Sequence, residues 1–460
     1  MKHKKESFFK GIAYLLISQI FIKIIGFVYK FYLTNKDGFG DTGNAIYSSG
    51  FQIYALLLAF SSTGIPSAIS KLISERLAVG DSKGAHKIFK IAFASFAIIG
   101  GVVTIILFLG AKKISKDWIQ IPEAEKSLIC LAPSVFFVSI ISVFRGYFNG
   151  RQNFSLTAKS QGLEQIFKTV LTVLLVEITA LVTNSNVSNM AGAANLATTI
   201  ATMLCSVYIW LYYIKKRGEI EQEIKQSINY KPTRIRKTIK TIFKEAIPIS
   251  ISSIISSFNK IIDSFTVVRL LKKSLDENNA RIQYGVLSGK IDILCSLALS
   301  LNIPFVTVFI PRITKTVTKK EFRSTYKSIN IFLSITFLIG LPITILFFIF
   351  PGKILNILFP NANSGALYLK ISSICIIFSL LNQTINAILQ ALGKANIPPL
   401  SGSVGIVIKL ICNIYLIPIA KLGILGAIIG NIISNIITCF ISGIFLMMQL
   451  RKQTQQSIYK

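Results

Sequence analysis

Seven lysines, Lys23, Lys30, Lys168, Lys260, Lys290, Lys370 and Lys409, fall inside long apolar stretches of this 460-residue chain. An ammonium at membrane depth costs about 2.5–3.5 kcal/mol on insertion scales, so each needs a partner or a task. Lys23 and Lys30 are seven residues apart, on one helix face and about 10.5 Å apart along the axis. Gly26 between them would let a ligand group approach the backbone. Lys260 and Asp263 are spaced i, i+3, which permits an internal ion pair; the functional alternative is an anion contact beside a coupling-ion or gating carboxylate. Lys290 and Asp292 are two apart and cannot share a face, so at least one must look elsewhere. Lys409 has no acidic residue within a turn. Lys168 has Glu164 one turn earlier, a ready-made structural pair, and Lys370 lies close enough to a helix end to snorkel. Glu177 is a carboxylate without a local partner, suited to a cross-helix bridge to one of these lysines.

The elements that must position these groups are membrane helices. With 52% hydrophobic residues, 15% charged residues and 33 Phe, the chain is too apolar for a soluble protein of two or three domains. About twelve segments are long enough to cross a core of ~30 Å. They lie near 11–32, 45–64, 89–109, 128–148, 162–182, 191–213, 246–268, 284–310, 329–350, 368–391, 399–419 and 423–448. None shows the dyad alternation of a barrel strand, so the fold class is all-α.

If the N-terminus is cytoplasmic, 32 of the 50 basic residues fall in inside segments and 11 outside, with seven in the spans. The positive-inside rule therefore predicts cytoplasmic N- and C-termini in a multi-pass protein of the cytoplasmic membrane. No small-residue cleavage site follows the first apolar run, which reads as a retained span. Much of the +31 net charge is solvated loop lysine; the remainder suits the anionic lipids of the inner leaflet. Nucleic acid is not an expected partner, because the charge is spread over short loops rather than gathered on one face.

Cys130, Cys205, Cys295, Cys375, Cys412 and Cys439 all lie in spans without C-x-x-C spacing, so neither a disulfide framework nor a metal site is indicated. His3 and His86 lie outside the spans, which excludes a histidine relay at membrane depth. There is no P-loop and no G-x-G-x-x-G, so an enzyme or a resident cofactor is not expected, while a coupling Na+ or H+ stays open. The longest polar stretch, 215–240, separates six spans from six, giving an N-lobe at 1–214, a basic linker and a C-lobe at 241–460. An even number of spans per half makes the halves parallel repeats. Three echoes in matching order support a duplication: Lys23-Ile24-Ile25 with Lys260-Ile261-Ile262, Gly150-Arg151-Gln152-Asn153 with Gly393-Lys394-Ala395-Asn396, and Ile65-Pro66 with Ile310-Pro311.

The phrases GIPSAISKLISE (64–75), FRGYFNGRQNFSLTAKSQGLEQ (144–165), IDSFTVVRLL (262–271) and ILQALGKANIP (388–398) carry a family resemblance. The chain resembles the stage V sporulation protein B branch, close to MurJ-type lipid II flippases, of the multidrug, oligosaccharidyl-lipid and polysaccharide exporter superfamily. The likeness runs over nearly the whole chain. It implies two pseudo-symmetric six-helix lobes in a MATE-like V around a cavity, and movement of a polyprenyl-diphosphate-linked saccharide, a cell-wall precursor or polysaccharide unit, by a monomer. Two departures stand out. Many relatives carry two further helices, and the first-helix basic pair usually read as Arg is here Lys23 and Lys30.

On this reading Lys23, Lys30, Lys260, Lys290 and Lys409 bind the diphosphate, since Lys serves phosphate as a compact point charge. The cavity arginine that the resemblance implies near Lys290 matches only with a one-residue shift. Asp263, Asp292 and Glu177 are the coupling or gating carboxylates, and Arg145 and Arg151 a cytoplasmic gate, with positive-inside anchoring as the plainer account. Drug or cation antiport on the same fold and a non-transporting scaffold for envelope or spore assembly are the alternatives. A cation exporter should have more carboxylate than ammonium at mid-span, the reverse of what is found.

Overall fold

A computed structural model describes residues 8–59, 64–227, 230, 232–318, 321–419 and 422–458. Among these residues there is no strand, and sixteen α-helices account for most of the chain. In order they are α1 (Phe8–Asn35), α2 (Gly40–Ala59), α3 (Ile65–Ala78), α4 (Ser82–Lys113), α5 (Ala124–Gly150), α6 (Phe154–Val182), α7 (Val187–Lys225) and α8 (Ile235–Leu271). The remainder are α9 (Glu277–Val286), α10 (Asp292–Ser300), α11 (Ile303–Thr318), α12 (Phe322–Ile349), α13 (Pro351–Leu358), α14 (Ala366–Ala391), α15 (Ile397–Leu416) and α16 (Ile424–Ile458). Nine stretches among the described residues are long and apolar enough to cross a membrane. Their outward rows, such as Ile98, Ile105 and Leu109 on α4 or Val170, Leu174 and Leu181 on α6, leave large apolar side chains exposed, as lipid contact requires.

Of the twelve expected spans, ten lie on one helix to within about three residues, and 45–64 runs from α2 into 60–63, outside the described residues. The exception is 284–310, which is broken: α10 ends at Ser300 and α11 begins at Ile303. The break falls where the sequence reads Asn302-Ile303-Pro304, and proline, having no N–H, is tolerated in a first helical turn. The buried Asn302 amide donates to Gln383 Oε1 (3.1 Å) and Thr384 Oγ1 (3.0 Å) on α14, which ties the break down. Helix starts follow local chemistry too. The Asp81 carboxylate accepts from the Gly84 N–H at 2.7 Å, and Asn153, Asn186 and Asp276 cap α6, α7 and α9 in the same way. A Cβ on Gly84 would meet the Asp81 carboxylate at 2.2 Å, so that cap needs glycine.

Contacts divide the chain into two units. Unit one holds the described residues up to Phe39 and from Ile46 to Ser257; unit two holds Gly40–Ala45 and everything from Phe258 onward. In unit one, α5 and α6 pack on α7, α4 on α5 and α1 on α6. The core at one end is aromatic, with Phe89 against Tyr147 (4.4 Å between centroids), Phe144 and Tyr213. Helix α3 lies flush on the end of α5 because Gly146 and Gly150 have no side chains. A Cβ on Gly146 would meet the Pro66 carbonyl oxygen at 2.9 Å, and one on Gly150 the Ser70 carbonyl oxygen at 2.8 Å. Small residues four apart are the usual device for close helix approach in lipid.

In unit two, α14 packs against α12 and α16, and α15 against α16, with Phe309 stacked on Phe332 at 4.7 Å. Amides and hydroxyls join α14 to α16 at membrane depth: Ser379 to Asn435, Asn382 to Thr438 and Ser442 to Asn386. A second glycine pair, Gly285 and Gly289, receives the first turn of α2. A Cβ on Gly285 would sit 1.7 Å from the Asp41 carbonyl oxygen, and one on Gly289 2.3 Å from the Asn44 side chain.

Candidate functional site

The cations of unit one gather on an aromatic platform built by α1, α2 and α6. Lys30 Nζ lies 3.8 Å from the centre of the Tyr47 ring. Lys168 Nζ lies 4.2 Å from Phe51 and 4.9 Å from Tyr29. The Tyr29 and Tyr47 hydroxyls are 3.4 Å apart, and Tyr47 stacks on Phe51, so the three rings form one surface. The expected Lys168–Glu164 pair does not form, because Glu164 is taken by Arg145. Lys168, only 8% exposed, makes no ion pair with any described residue. Cation–π contacts return about 0.5–2 kcal/mol each, whereas burying an ammonium costs several kcal/mol even after relaxation. The aromatic faces alone therefore leave the site short of negative charge. Sequence reasoning missed Lys168 because the competition for Glu164 comes from a residue that only the fold brings near.

Around this platform Glu177, Arg145 and Arg151 take structural positions. Lys23 is exposed. Gly26 faces not a ligand space but Gln165 of α6, whose amide nitrogen would be 3.3 Å from an added Cβ. Glu177 does form the expected cross-helix bridge, though to Lys36 at the end of α1 (2.5 Å) rather than to a mid-span lysine, and it also accepts from Tyr32. Arg145 is buried and donates to Ser160 Oγ (2.9 Å), Glu164 (2.8 Å) and the Cys205 sulfur (3.7 Å), pinning α5 to α6 and α7. Arg151 donates to Glu223 on α7 (2.6 Å) and to Tyr147 Oη. Every one of these contacts lies within unit one, so both arginines hold its own helices together.

Unit two treats its lysines differently. Lys409 on α15, 2% exposed, donates to Asp263 Oδ2 (2.7 Å) and to the Asn259 carbonyl oxygen (2.9 Å) on α8. Asn413, one turn on, donates to the other Asp263 oxygen (3.2 Å) and to Thr266. The i, i+3 pairing of Asp263 with Lys260 is thus displaced by a cross-helix pair, and Lys260 is exposed. Lys290, fully buried, reaches Asp41 (2.8 Å), Ser364 Oγ and the Ala362 carbonyl oxygen. Its three donors are all used. Lys290 sits in a π-helical turn, Leu287–Ile291, between α9 and α10. Asp292 is half-buried and makes no ion pair among the described residues. Lys370 stays exposed, over the Phe348 ring at 4.9 Å. No cluster able to hold a metal ion occurs among the described residues.

An all-helical, multi-pass membrane architecture with charge-balanced lysines in one unit and an aromatic-bound cation pair in the other defines the class, and its fold is that of MATE transporters. A multidrug resistance MATE family transporter in an inward-facing conformation superposes with a TM-score of 0.78 at 15% identity, covering 96% of this chain and 99% of that one. A MOP superfamily transporter from Pyrococcus furiosus gives 0.67 at 14%, covering 97% and 96%. The polysaccharide biosynthesis protein family matches residues 8–317, and the MatE family matches 248–419. The chain belongs to the polysaccharide biosynthesis protein family. It is 22% identical over 425 residues to stage V sporulation protein B of Bacillus subtilis, covering 92% of this chain and 80% of that protein. It is 25% identical over 434 residues to lipid II flippase MurJ of the same organism, covering 90% and 78%.

Proposed function

We propose that the protein is a flippase of the cytoplasmic membrane that moves a polyprenyl-diphosphate-linked saccharide by alternating access. The observation that carries this reading is Lys168, a buried ammonium resting on aromatic faces beside Lys30 and in no ion pair with a described carboxylate. A diphosphate supplies the negative charge that this platform lacks, and lysine binds phosphate as a point charge. Lys23, exposed on α1, is the further diphosphate contact of this reading in unit one. Lys290 and Lys409 act instead through their carboxylates, as organisers of unit two. The relative named a lipid II flippase supports a lipid-linked substrate, and the charge of the platform argues against export of organic cations.

With both Asp263 oxygens occupied, Asp292 is the carboxylate that a coupling Na+ or H+ would use in unit two. The membrane potential, worth ~2.3 kcal/mol per charge per 100 mV, would also act on the unloaded cationic platform.

The test is transport in liposomes containing the purified protein and a labelled polyprenyl-diphosphate disaccharide, with a plain anionic phospholipid as control. The labelled precursor should cross and the control should not. Lys168→Met should abolish movement at unchanged protein level. Equal movement of both lipids, or full activity of the variant, would rule the reading out; unaltered function of a transport-dead variant in cells would favour the scaffold.

A further inference from the structure

A second cavity, of about 470 Å3, opens in unit one where α3, the end of α5 and the start of α6 meet. Its volume falls in the range of small-molecule sites, roughly 300–1,000 Å3. It is walled by Ser67 and Ser70 of α3, Asn149 of α5 and Thr157 of α6, with the Pro66 and Phe154 rings as apolar faces. Serines in membrane helices ordinarily bond back to a carbonyl one turn earlier, as Ser139 and Ser142 do on α5. Ser67 and Ser70, on one face of α3, make no such bond to a described residue. The Asn149 side-chain oxygen accepts from Thr157 Oγ1 at 2.6 Å, which leaves its amide N–H groups donating to no described residue. The glycine pair Gly146 and Gly150 makes this arrangement possible by bringing α3 against α5.

Two cations also line the cavity, yet each arrives neutralised: Lys71 by Glu245 at 2.7 Å and Arg145 by Glu164 at 2.8 Å. The cavity is therefore rich in hydroxyl and amide groups without excess positive charge. That chemistry suits a neutral ligand that both donates and accepts hydrogen bonds and offers C–H faces to the Phe154 ring, and it does not suit a phosphate.

We propose that this cavity is a saccharide-recognition subsite, which reads the sugar headgroup while the Lys30–Lys168 platform holds the diphosphate. The proposal rests on the flippase reading, and it adds where the sugar is selected. Ser67, Ser70 and Asn149 are the specificity-determining groups.

The test is calorimetric titration of the detergent-purified, full-length protein with N,N′-diacetylchitobiose and, separately, with inorganic diphosphate. The disaccharide should bind the unaltered protein. Ser67→Trp, which fills the mouth from an exposed position, and Asn149→Leu should each weaken it about tenfold or more, the scale of one or two lost hydrogen bonds. Lys168→Met should leave disaccharide binding unchanged and weaken diphosphate binding. Absent disaccharide binding, binding indifferent to both cavity variants, or competition by diphosphate would each overturn the subsite. Should the disaccharide bind as described while no lipid-linked sugar crosses liposomes, the subsite would stand and the flippase reading would fall.

Discussion

At the residue scale the two units spend their buried lysines in opposite ways, and the difference is testable. Lys409 and Asp263 neutralise one another, so removing one partner strands a buried charge. Lys409→Met should cost about 3–5 kcal/mol, seen as a lower melting temperature in detergent, and the double variant with Asp263→Leu should recover most of it. Lys168 makes no ion pair with a described carboxylate, so Lys168→Met should leave the melting temperature unchanged or raise it while removing diphosphate binding. Sequence spacing located every one of these lysines, because a cation in an apolar run is conspicuous. It could not assign their partners: Asp263 chose Lys409 over the nearby Lys260, and Glu164 chose Arg145 over Lys168. Local i, i+3 and i, i+4 pairs return only about 0.2–0.5 kcal/mol, too little to compete with a cross-helix bond that also satisfies a buried group.

At the element scale, glycine spacing rather than hydrophobicity sets which helices touch closely. Gly146 and Gly101 make a matched contrast. A methyl on Gly146 would press on the Pro66 backbone, whereas one on Gly101 meets nothing within 4 Å. Gly146→Ala should therefore destabilise by about 1–3 kcal/mol, the usual cost of overpacking. Gly101→Ala should be neutral or gain up to about 1 kcal/mol of helix propensity. Thermal unfolding of both variants in the same detergent checks the pair, and comparable losses would contradict the packing described. Helix positions were legible from length and apolarity, since ten of the twelve expected spans lie on one helix to within about three residues. The break at Leu301–Asn302 was not, because hydropathy averages over a window and the anchoring bonds from Asn302 go to residues some eighty positions away.

At the scale of the whole molecule, the uneven distribution of basic residues makes one prediction that the helices alone do not. A reporter active only in the cytoplasm should be active when fused after residue 460, and one active only outside should be silent; the reverse would invert the topology. The family was legible because its phrases sit on packed helices: GIPSAISK and FRGYFNG pack on each other, and IDSFTVV carries Asp263. The aromatic platform was not, as its rings come from α1 and α2 and its ammonium from α6. The π turn at Leu287–Ile291 has a consequence of its own. Were the same residues wound as an ordinary α-helix, everything on one side would be turned by about 100° relative to the other. Lys290 could then no longer address Asp41 and Ser364 while α10 kept its seat against α14. One surplus residue thus works as an angular offset, letting a single rod aim at two neighbours that an unbroken helical repeat would never face together.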